Sequence, residues 1–97
     1  MTPTIYSIIE KSAEAIEQDH GKYWCQHREE TIRRDYTQRC AWGWLLYFAN
    51  KGLAGHDAKR FIERANRFTN LVSFNDAPGR RPTTVARALR RALEVAE

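Results

Sequence analysis

Cysteine and histidine are the side chains of this sequence best suited to metal ligation or nucleophilic catalysis. His20, Cys25, His27 and Cys40 are the candidates. They form no Cys-x-x-Cys or His-x-x-x-His pair, the local arrangement on which zinc sites are built. No metal and no other cofactor is therefore expected. Cys25 and His27 alternate along the chain, which turns thiol and imidazole apart, and no third residue stands out to orient a base. No catalytic residues are assigned, and the balance leans away from an enzyme. Both cysteines read as small buried hydrophobes.

Other chemistry is that of recognition. Trp24, Trp42 and Trp44 are many tryptophans for 97 residues. Trp44 falls on the inner face of an apolar stretch, whereas Trp42 lies on another face and is the candidate anchor for a partner. Arg87, Arg90 and Arg91 share one side of a C-terminal amphipathic segment, with Arg80 and Arg81 ahead of it, an arrangement that suits acidic partners or phosphates. No helix-turn-helix, RNA-recognition or glycine-rich phosphate loop accompanies them. Finally, Phe74-Asn75-Asp76-Ala77-Pro78-Gly79-Arg80 combines side chains that close turns with a Pro-Gly reversal. Asp76 can accept backbone N–H groups or pair with Arg80. The segment is expected to be a structural turn, with a polar binding site at Asn75, Asp76 and Arg80 as the alternative.

Helices are expected to position these residues. Ile5, Ile8, Ile9, Ser12 and Ile16 recur at helical spacing over 4–19, and Gly21 supplies a left-handed stop. Residues 20–36 read as an ordered loop that buries Trp24. The segment 37–50 is the most apolar and reads as the central helix, with Gly43 inside it at a close crossing or beneath a packed ring. Two further helices are expected at 56–70 and 83–96, the last capped by Thr83, with an irregular stretch at 73–82 between them. The fold class expected is all-α: one compact domain of about four helices packed around a hydrophobic central helix.

Bulk composition sets the class. Sixteen basic against twelve acidic residues give a net charge of +4, and 42% of residues are apolar. That is too apolar for a disordered chain, and the length suits one core rather than two. No apolar run approaches the roughly 18–20 residues of a membrane span. Residues 1–10 lack the basic and apolar regions of a secretory signal, so a cytoplasmic location with reduced thiols is expected. Charge is uneven: residues 1–20 hold one lysine against four acids, and residues from Arg80 onward hold five arginines against two glutamates.

The order Trp24-Cys25-Gln26, then Arg39-Cys40-Ala41-Trp42-Gly43, then Phe74 to Arg80, resembles a family of small bacterial and phage proteins known only as a domain of unknown function. The resemblance covers roughly residues 5–96. His27 stands where that family usually has glycine. The resemblance implies no activity, but it marks Trp24, Cys25, Arg39, Cys40, Gly43, Asn75, Asp76, Pro78, Gly79 and Arg80 as a shared cluster in which the two cysteine segments and the Asn-Asp turn meet. The favoured function is a non-enzymatic interaction or regulatory module that binds a protein partner or itself. The alternatives are nucleic-acid binding through the C-terminal helix, a phage or mobile-element inhibitor of a host machine, and, last, a small enzyme or ligand-binding protein at the Asn75-Asp76 turn.

Overall fold

A computed structural model describes residues 3–53, 57, 60, 61, 63, 64 and 71–95. Helix α1 spans Pro3–Glu17. It buries Ile8, Ile9, Ala13 and Ile16, together with Ser12, whose hydroxyl donates to the Ile8 carbonyl at 2.6 Å and so escapes the cost of an unpaired buried group. A 3-10 turn over Gln18–Gly21 follows. The left-handed stop involves more than Gly21: Asp19 (φ 49°), His20 (φ 58°) and Gly21 (φ 87°) all have positive φ. A side chain at Gly21 would run into the Pro82 ring.

The chain is not all-α. Strands β1 (Glu30–Ile32) and β2 (Thr37–Arg39) form an antiparallel hairpin that pairs Glu30 with Arg39, Thr31 with Gln38 and Ile32 with Thr37. The hairpin interrupts the loop expected at 20–36, and β2 takes the first residues of the helix expected at 37–50. Three-residue polar strands are too short to show a two-residue alternation. The turn, closed by Arg33 N–H to the Tyr36 carbonyl at 2.8 Å, also lacks an Asn-Gly or Asp-Gly signal.

Residues 23–25 run beside the far edge of β2. Arg39 N–H donates to the Tyr23 carbonyl at 2.9 Å, and Cys25 N–H to the Arg39 carbonyl at 3.3 Å. Because hydrogen-bonded pairs alternate along an antiparallel ladder, the Arg33–Tyr36 closure makes Thr31 and Gln38 the next bonded pair. The backbone groups of Glu30 and Ile32 therefore face away from β2, along an edge with no partner strand among the described residues.

Helix α2 spans Ala41–Gly52, with Cys40 as its extended N-cap. The Cys40 sulfur accepts Gly43 N–H at 3.4 Å. The helix buries Ala41, Gly43, Trp44, Leu45 and Ala49. Gly43 is explained by the hairpin and not by a helix crossing, because a Cβ there would strike the Glu29 carbonyl oxygen and press on the Arg39 side chain.

Helix α3 (Leu71–Asp76) extends through the first part of the stretch expected to be irregular. The chain then turns through Ala77-Pro78-Gly79, with Arg80 N–H on the Ala77 carbonyl at 3.1 Å and Gly79 at φ 75°. Helix α4 spans Pro82–Val95 and buries Val85, Ala86 and Leu89. Pro82 opens it, so Thr83 is a first-turn residue and not its cap. The helix expected at 56–70 lies largely outside the described residues. Asp57, Arg60, Phe61, Glu63 and Arg64 are helical within it, and Phe61 packs against the core.

The centre of the described elements is α1, which packs along both α2 and α4, while α2 and α4 touch only slightly. The most apolar helix is thus one wall of the core and α1 is its middle. The aromatic rings of α2 also pack on one another, with Trp44 stacked on Phe48 and edge-on to Tyr47.

Candidate functional site

Asn75, in the last turn of α3, is fully buried and uses the whole hydrogen-bonding capacity of its amide. Its Oδ1 accepts the Trp24 indole N–H at 2.6 Å and the Ala41 backbone N–H at 3.0 Å. Its Nδ2 donates to the Cys25 carbonyl at 3.0 Å and to Asp76 Oδ1 at 2.9 Å. Two of these partners can only donate and two can only accept, so chemistry dictates which way the amide faces. Ala41 N–H is one of the first-turn donors that a helix leaves without an internal partner, and Asn75 supplies it from another element.

The surrounding residues extend this clasp. Gln26 Nε2 donates to the backbone carbonyls of Asn75 (2.9 Å) and Ala77 (3.0 Å). Asp76 Oδ1 also accepts His27 N–H at 2.8 Å. Burial pushes the Asp76 carboxyl upward, but the His27 and Asn75 donors outweigh it and hold the group below its ordinary value. Arg80 turns away from Asp76: its Nε donates to the Phe74 carbonyl at 3.0 Å and its guanidinium lies 3.8 Å from the Phe74 ring centre. The structure thus brings Trp24, Cys25, the Cys40-Ala41 junction, Asn75, Asp76 and Arg80 into one region, and their polar atoms are spent on one another and on the backbone.

Neither thiol is activated. Cys25 donates to the Arg28 carbonyl at 3.4 Å and accepts from Thr31 at 3.7 Å. Burial pushes the pKa of both Cys25 and Cys40 up, the opposite of what a reactive thiolate needs. Both are free thiols. Among the described residues no three His, Cys, Asp or Glu side chains converge as metal ligands would.

The candidate partner-binding residues separate. Trp42 is half-buried and packs against the core. Arg90 ties α4 to α1: its guanidinium grips both Glu17 oxygens at 2.7 and 3.2 Å, and its Nε reaches Glu10 at 3.3 Å. Arg87 and Arg91 are exposed. With Glu17, Thr83 and Arg90 they line a groove of about 410 Å³. A second recess of about 250 Å³ adjoins it, lined by Glu17, His20, Arg81, Pro82 and Thr83.

Four residues make contacts or show an exposure that the sequence reading did not assign to them. Gln26 and His27 bind α3 through contacts distant in sequence. Arg39 lies over the rings of Trp44 (4.9 Å) and Tyr47 (4.4 Å), with Glu30 at 3.7 Å. Ile32, on the hairpin, is 77% exposed. A signal for His27 did exist: its φ of 67° is the left-handed conformation that glycine adopts freely, and glycine is the residue that the resemblance implies at this position.

No described helix is long and apolar enough to cross a membrane. No curated protein matches the chain, and no solved structure does. The profile of a family of unknown function (DUF6197) matches residues 1–95, and the chain belongs to that family.

Proposed function

We propose that the protein is a small non-enzymatic interaction module that docks a protein partner along the open edge of β1. The observation that carries this reading is Ile32, which is 77% exposed on that edge. The backbone groups of Glu30 and Ile32 are available to an added strand, the mode of recognition in which main-chain hydrogen bonds supply affinity and alternate side chains supply specificity. Glu29 and Glu30 precede Ile32, and Arg33 and Arg34 follow it. Such flanking charges block indiscriminate pairing of a strand edge. They select an extended segment with an apolar residue flanked by charges in the complementary order. A second copy of the chain, running antiparallel about Thr31, meets that description because Glu29 then faces Arg33 of the other copy.

The Asn75 clasp supports the same reading, since it turns the polar motif of the sequence into the mount that holds the hairpin against α2 and α3. The test places a benzophenone cross-linking residue at position 32, and at Glu14 on the exposed face of α1 as control, in the intact protein in its native lysate. A discrete adduct from position 32, absent from position 14 and identified by mass as one partner or as a second copy, is the expected result. Light scattering that shows a monomer at high concentration, together with no position-specific adduct, would overturn the proposal.

A further inference from the structure

We infer that the groove between the end of α1 and the outer face of α4 binds the sugar–phosphate backbone of a nucleic acid, without reading its bases. The site stands apart from the β1 edge and does not depend on it.

Arg81, Arg87 and Arg91 are exposed and line the two adjoining recesses. Among the described residues their side chains have no hydrogen-bond or ion-pair partner. Arg90, between them, is different, because Glu10 and Glu17 already neutralise it. Its grip on both oxygens of Glu17 makes it a fixed part of the groove wall and removes Glu17 as an obstacle to an incoming anion. Arg87 and Arg91 sit one turn apart on the same helix face, where like charges repel unless an anion bridges them.

The shape points to a polymer. The recesses share Glu17 and Thr83, so they form one continuous track. From Arg81 to Arg91 it follows α4 for about 15 Å at the helical rise. That is longer than a single phosphate group needs and suits an uninterrupted row of anions. Among the described residues, the three cations without a partner along the track are all arginines, whose planar forks match phosphate oxygens two at a time. Among the described residues no Trp, Tyr or Phe lines the track, so they offer no stacking platform of the kind that grips unpaired bases. Contact is therefore with the backbone, and the binding carries little sequence preference.

The experiment is fluorescence anisotropy of the full chain with labelled single-stranded and duplex DNA over a salt series starting near 50 mM, where backbone binding is strong. Affinity is expected to fall steeply with salt. The R87A/R91A double variant should reduce the log–log slope by about 1.4 on single strands and about 1.8 on duplex. R87K/R91K should retain the slope. R28A/R60A, exposed arginines that do not line the groove, should leave it unchanged. Circular dichroism should show the variants folded, because among the described residues neither Arg87 nor Arg91 has a partner to lose. No binding at low salt would overturn the inference, as would a slope unchanged in R87A/R91A. Competition by a poly-glutamate peptide as strong as that of DNA would also overturn it and assign the groove to an acidic protein segment.

Discussion

At the scale of single residues, Asn75 does most to join distant parts of the chain. Asn75→Asp keeps the shape but replaces two donors with an acceptor. It leaves the half-buried Cys25 carbonyl without its Asn75 partner and sets a second carboxylate against Asp76. Urea denaturation at pH 7 should show a loss of about 3 kcal/mol, the scale of a buried unsatisfied group plus a buried charge. Trp24→Phe removes one donor and keeps most of the ring, so about 1 kcal/mol should be lost. A loss from Asn75→Asp no larger than that from Trp24→Phe would show that the clasp is redundant. His27→Gly should act in the opposite direction. Its side chain is 72% exposed and only 4.0 Å from Asp76, so little contact is lost. Relief of the left-handed conformation, less the extra freedom of glycine in the unfolded chain, should stabilise the protein by about 0.5 kcal/mol, seen as a higher Tm. The reversal at Pro78-Gly79 was legible from residue types, although Asn75 and Asp76 belong to the helical turn before it. The partners of Asn75 were not, because Trp24 lies 51 residues away in sequence and nothing local marks an indole that needs an acceptor.

At the scale of elements, the hairpin and α2 explain each other. The backbone at Glu29 crosses α2 at Gly43, and Arg39 leaves β2 to lie over the rings of Trp44 and Tyr47. Gly43→Ala improves helix propensity by about 1 kcal/mol. The new methyl group must nevertheless displace the Glu29 carbonyl, a backbone shift that costs about 2–3 kcal/mol. Net destabilisation is therefore expected in thermal melts, and a higher Tm would show that the hairpin yields freely. Helices α1 and α4 were legible from their apolar stripes, since the pattern Ile8, Ile9, Ser12, Ile16 and the pair Val85, Leu89 repeat within one element. The β-strands were not legible. Thr37, Gln38 and Arg39 lead straight into the apolar run of α2 with no proline or glycine to mark a boundary. The helix begins only at Ala41 because Arg39 spends its N–H and carbonyl on Tyr23 and Cys25.

At the scale of the whole molecule, α1 is the middle of the described core, and its junction with α4 carries an electrostatic signature. Arg90 holds the Glu17 carboxyl below its ordinary value, with burial opposing the effect. Glu17 and Asp76 both have folded pKa values below their unfolded ones. Their contribution is present above the unfolded values, near pH 4, and is lost as pH falls through the lower folded values. Stability should therefore decline on acidification below about pH 4.5. Arg90→Ala should remove about 1 kcal/mol at pH 7 and also flatten this acid limb, measured by urea titration at neutral pH and at pH 3. An acid limb unchanged by Arg90→Ala would place the loss elsewhere. What the sequence by itself determined is the set of helical stripes, the Pro-Gly reversal and the basic bias of the C-terminal third, because helical periodicity, turn chemistry and charge are properties of neighbouring residues. Tertiary structure alone decided that the polar segment 30–39 folds as a ribbon, that Trp42 packs on the core, that Arg90 faces α1 while Arg87 and Arg91 face solvent, and that a buried amide joins three distant segments. Strand pairing and the satisfaction of buried polar groups depend on partners brought together only when the chain closes on itself.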